Sequence, residues 1–116
     1  MTKKFDVKAL REKVLSTDDV VHDTFHVKEW DAELPIRTLA AQDLKKIMKH
    51  KGDEVRMAIL AVLYGCKTPE GEAVFAETDL AKFEQEKAFG PVARLGAKIM
   101  EISGLSSNEV KEAKND

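Results

Sequence analysis

Eight consecutive residues, Met57-Ala58-Ile59-Leu60-Ala61-Val62-Leu63-Tyr64, are apolar but for one terminal phenol. A surface helix shows a single apolar stripe and a half-exposed strand alternates, so a segment apolar on every side has to be enclosed. The rest of the chain, or another copy of it, must wrap this run. Asp53 and Glu54 before it suit the positive end of a helix, and Gly65 after it suits a left-handed stop. This predicts a central, fully packed helix. A buried strand carries the same signature over so short a run and stays open as the alternative. The run is far below the roughly 20 residues that span a bilayer, so a membrane partner is not expected.

Around it the periodicity supplies the covering elements. Asp6 can cap a helix over residues 7–15, with Phe5 and Leu10 placed as a hydrophobic staple and Val7, Leu10 and Val14 on one face. From Val20 to Trp30 the period falls to two, with Val21, Phe25 and Val27 on one side and His22, Thr24, His26 and Lys28 on the other. Asp31-Ala32 makes a turn, and Leu34, Ile36 and Thr38 continue the alternation in a partner strand held short or at an edge by Pro35. A lone hairpin is marginal in water, so its Phe25/Val27/Leu34/Ile36 face must pack on helices. Ala41, Leu44, Ile47 and Met48 predict a helix over 40–51 that Gly52 ends.

After the central segment, Lys67-Thr68-Pro69-Glu70-Gly71 is turn chemistry and Ala73-Val74-Phe75 a short extended piece. Thr78 or Asp79 caps a helix carrying Leu80 and Phe83. Pro91 opens a last helix, about 91–103, along whose stripe lie Val92, Leu95, Gly96, Ile99 and Ile102, and Gly104 stands at its stop. The expected fold is α+β, mainly α: four to five helices packed with a small antiparallel β-hairpin. Residues 1–105 form one domain, and 106–116, with almost nothing to bury, a frayed C-terminal tail.

Several functional classes drop out. Lys+Arg 19 against Asp+Glu 21 leaves a net charge of -2, which gives no general attraction to nucleic acid or anionic lipid. His22 and His26 lie about 13 Å apart on a strand, too far to share a metal, and no metal site is expected. Cys66 is the single cysteine, which excludes an internal disulfide and suits a reducing cytoplasm. The glycines form no phosphate-cradling motif. No catalytic constellation assembles, so the chain is read as no enzyme and as needing no cofactor. The Lys45-Lys46-Ile47-Met48-Lys49-His50-Lys51 segment is the one basic run, and it supports a second reading as a small nucleic-acid-associated regulator.

The order of elements is specific enough to carry a resemblance. An extended stretch ending in Val27-Lys28-Glu29-Trp30, then Leu34-Pro35-Ile36-Arg37-Thr38-Leu39 leading into a helix, resembles the tail assembly chaperones of long-tailed (siphovirus) bacteriophages. So do the apolar Val55–Tyr64 segment leading through Pro69-Glu70-Gly71 to Phe75, and the closing Ile99-Met100-Glu101-Ile102-Ser103-Gly104-Leu105. The resemblance spans about residues 24–105, and the N-terminal helix lies outside it. It implies a noncatalytic protein that binds the tape measure protein, keeps it soluble and helps recruit the tail tube protein. It also implies a host-cytoplasmic factor absent from the finished virion, and the coating of a long partner points to self-association. Nucleic acid is not among the implied partners. Apolar residues left over after core packing are the natural contacts, which selects Leu105 and Val110 beyond the Gly104 stop.

Overall fold

The computed structural model describes residues 4–105. Five α-helices and one antiparallel hairpin follow in order: α1 (Val7–Leu15), β1 (His22–Val27), β2 (Ala32–Arg37), α2 (Ala41–Met48), α3 (Glu54–Gly65), α4 (Leu80–Gln85) and α5 (Phe89–Ile102). Single 3-10 turns, Lys28–Trp30 and Glu77–Asp79, link β1 to β2 and lead into α4. The α+β, mainly α expectation holds.

The apolar run is the helix α3, and the strand alternative falls. Ile59, Leu60, Ala61, Val62 and Leu63 are all buried. α5 lies along one side of it, and α2 and α4 cover the others. Leu95 and Ile99 are fully enclosed between α5 and the rest of the core. The hairpin packs against α5 through the expected face, with Val27, Leu34 and Ile36 buried and Phe25 half-buried. Only Val21, at the far end of that face, stays exposed. An ion pair between Glu29 and Arg94, and Lys87 Nζ 5.1 Å from the ring centroid of Trp30, fasten the hairpin tip to α5 and the loop before it.

Pairing is in register from His22 opposite Arg37 to Val27 opposite Ala32. The Thr38 N–H donates to the Val21 carbonyl at 3.0 Å, so the bonded pairs are those of the odd-numbered β1 residues. Thr24 and Pro35 therefore face each other in an unbonded pair, and both nitrogens point to the outer edges of the ribbon. Proline has no N–H to lose there. The Thr24 N–H is taken by the Asp23 carboxylate at 2.8 Å.

Helix ends follow the sequence with three instructive departures. Asp6 and Asp53 cap α1 and α3, accepting from the N–H groups of Ala9 and Arg56 at 3.1 and 3.0 Å. The helix expected over 40–51 stops at Met48, because His50 and Lys51 bond three residues back and tighten into a turn before Gly52 at φ 99°. Asp79 does not cap α4 from its front; its carboxylate reaches back to the Ala76 N–H at 2.9 Å and closes the 3-10 turn. Gly65 is not a left-handed stop. It is the last residue of α3, buried, and a β-carbon placed on it would lie 2.5 Å from Ile99 Cγ2. Its role is close approach of two helices.

Candidate functional site: an apolar groove and an uncovered helix

Two surfaces stand out for their apolar character. The first is a groove of about 250 Å³ where α3 and α5 cross. Its bed is built of small residues, Ala58 and Ala61 from α3 and Ala93, Gly96 and Ala97 from α5. They are small because the backbones nearly touch: a β-carbon on Gly96 would stand 3.0 Å from the Ala58 carbonyl oxygen. Met57 and Met100 form adaptable walls, and the buried Ile47 of α2 completes the lining. Glu54 is the one charged residue in the lining. Sequence reasoning placed Gly96 on the core stripe and missed the groove. The signal was Ala58-x-x-Ala61 beside Ala93-x-x-Gly96-Ala97, a spacing that stacks small side chains on one helix face.

The second surface is α1. Its predicted face, Val7, Leu10 and Val14, exists, but no residue of the helix is buried. Val7 and Val14 are each 73% exposed, and the stapling residues Phe5 and Leu10 remain at 68% and 45%. Arg11 and Leu15 flank the same stripe.

Leu105 closes α5. Its N–H donates to the Met100 carbonyl at 2.8 Å while the Gly104 N–H, at φ 73°, donates to Glu101 at 3.0 Å. This double bond pattern is the Schellman stop, and it leaves the Leu105 side chain half-buried beside the helix end. Val110 lies outside the described residues, as does the whole segment expected to fray. Leu105 thus sits one turn beyond Met100, the wall of the groove.

The remaining candidates separate. His22 and His26 are exposed on β1, and no group of three metal-ligating side chains gathers among the described residues. Within the basic run, Lys46 is drawn off by Glu77 at 3.7 Å and by the Tyr64 ring, whose centroid is 5.2 Å away. Burial first, and then the Glu77 carboxylate, push the Tyr64 hydroxyl up. Lys45, Lys49 and Lys51 are exposed around the α2 end. Cys66 is fully enclosed, and burial pushes its thiol up to about 12, which removes it as a nucleophile at neutral pH. No helix among the described residues is long and apolar enough to cross a membrane.

No protein-family model matches the chain, and no curated protein does. Among solved structures, the tail assembly chaperone of bacteriophage HK97 superposes with a TM-score of 0.59 over 82% of this chain and 97% of that one, at 10% identity. The chain has a tail assembly chaperone fold. At that identity the shared property is the arrangement of elements, not the side chains of a site. The chaperone fold is the one that the Val27–Trp30, Leu34–Leu39 and Ile99–Leu105 phrases pointed to. The match extends over nearly all of the solved HK97 chain.

Proposed function

We propose that this chain is a noncatalytic chaperone of phage tail assembly, which binds the tape measure protein, keeps it soluble in the host cytoplasm and helps recruit tail tube subunits without remaining in the finished tail. The observation that carries the reading is the likeness to the HK97 chaperone across almost the whole length of that protein. The surface described above supports it. A groove walled by methionines and floored by alanines accepts helices of varied sequence, because thioether side chains repack around different knobs. Leu105 at the end of α5, and Val110 in the segment beyond, are proposed as further contacts with the tape measure protein. Each contact is small, so binding a long partner relies on many copies acting together.

The test is coexpression with a candidate tape measure protein. We expect that partner to stay soluble and to copurify, and deletion of residues 106–116 to reduce copurification without loss of stability. A tape measure protein that remains insoluble and uncaptured in the presence of the intact chain refutes the proposal. Copurification untouched by the deletion moves the contact from the Val110 segment to the body of the domain.

A further inference from the structure

We propose that the hollow between α2, α3 and the Glu77–Asp79 turn docks an acidic, leucine-bearing peptide segment of another protein, and that Glu77 is its built-in competitor. The hollow holds about 430 Å³. Leu60 and Leu63 lie buried beneath it and the half-buried Leu80 forms one side, so an aliphatic side chain meets an apolar bed. Lys46, Lys49 and His50, around the end of α2, supply the rim.

Glu77 already shows what that rim binds. Its Oε1 accepts from the Tyr64 hydroxyl at 3.2 Å and lies 3.7 Å from Lys46 Nζ. The same Nζ stands 5.2 Å from the centroid of the Tyr64 ring, so ammonium and phenol are held together as one carboxylate receptor. Yet the Glu77 side chain is 69% exposed, and an ion pair so open to water is weak. The turn that carries it closes without it, through the Asp79 carboxylate on the Ala76 N–H at 2.9 Å. Glu77 can therefore swing out and leave its receptor to a carboxylate from outside.

Charge and shape select a peptide over nucleic acid. Lys49 is exposed and forms no ion pair among the described residues, which suits a second carboxylate on the same segment. The Tyr64 ring is half-buried with Lys46 over its face, so it offers no platform for a base. A net charge of -2 opposes a long polyanion, whereas a short acidic segment meets the lysines within a screening length of about 10 Å. The hollow shares no lining residue with the α3/α5 groove, and its partner is independent of the tape measure reading.

Fluorescence anisotropy of a labelled peptide of alternating leucine and glutamate, titrated with the intact chain at low salt, tests the site. Wild type should bind it, and Glu77→Ala should bind about fivefold more tightly, the gain from losing an exposed competing pair. Lys46→Gln should abolish binding in both backgrounds with an unchanged circular dichroism spectrum. Lys49→Glu, at an exposed position, should weaken it. A Lys46–Glu77 pair of purely structural use would not give its two variants opposite signs. The matching peptide of leucine and glutamine should not bind. No gain in Glu77→Ala, or binding undiminished in both Lys46→Gln and Lys49→Glu, overturns the proposal. So does single-stranded DNA that binds the hollow more tightly than the peptide, which would give the site to nucleic acid.

Discussion

The side chain of Ile99 occupies the space that a β-carbon on Gly65 would need, with Cγ2 2.5 Å and Cδ1 2.9 Å from that position. The contact joins the end of α3 to the middle of α5. Gly65→Ala should gain about 1 kcal/mol of helix propensity and lose about 1–3 kcal/mol to overpacking, for a net loss. Ile99→Ala alone should cost about 2–5 kcal/mol. In the double variant the two losses should fall short of their sum, because truncating Ile99 vacates the space the new methyl requires. Urea titrations of the four proteins measure this coupling; strict additivity would mean the two helices move apart freely.

Ser103 ties the same helix to the strand side of the fold. Its Oγ donates to the Ile99 carbonyl at 2.7 Å and accepts from the Leu39 N–H, 64 positions away in sequence, at 2.9 Å. Ser103→Ala leaves that partly buried N–H without an acceptor, and should cost about 1–2 kcal/mol. Hydrogen exchange at the Leu39 amide should quicken well beyond that of its neighbours. If Leu39 remains as protected as before, another acceptor serves it.

Truncation separates the core from α1. Leu95 is fully enclosed, so Leu95→Ala should cost about 2–5 kcal/mol. Val14→Ala on α1 should change monomer stability by less than about 0.5 kcal/mol, since Val14 is 73% exposed. Chemical denaturation of dilute protein checks both. A large loss at Val14 would show that α1 is packed on the body in solution.

Cys66 gives a pH signature with a definite sign. Burial raises its thiol from 9.0 to about 12, so the folded state holds a proton that the unfolded state releases. Stability is therefore fully present below pH 9.0 and declines as pH rises toward 12. Cys66→Ala should flatten that decline. At neutral pH a thiol reagent should modify the wild type only as fast as it unfolds. Rapid labelling of folded protein would contradict the burial.

Elements were legible in the sequence wherever local chemistry decides them. Asp6 and Asp53 before their helices, Gly104 after α5, and the alternation around Phe25 and Leu34 each act within a few residues, and each stands as read. The early end of α2 and the backward reach of Asp79 are local misreadings, while the larger failures involve partners distant in the chain. Gly65 looked like a stop because nothing near it in sequence shows that Ile99 presses on it. Val7, Leu10 and Val14 have the periodicity of a buried face, but periodicity cannot say whether a cover exists within the same chain. The position of Leu105 at the end of α5 follows from Gly104, whereas the groove needed the packing of α3 on α5.

The hairpin's outer margins decide whether a stray strand can join it. A two-stranded ribbon offers two unpaired margins, each a template on which a stray chain could add a rung and begin a cross-β stack. On one margin Pro35 offers no hydrogen at mid-strand. On the other, Asp23 has already claimed the Thr24 amide. An incoming strand meets a gap on either side at the point where a ladder would have to nucleate. Edge-to-edge stacking, the first step toward irreversible fibres, is thus hindered at both borders.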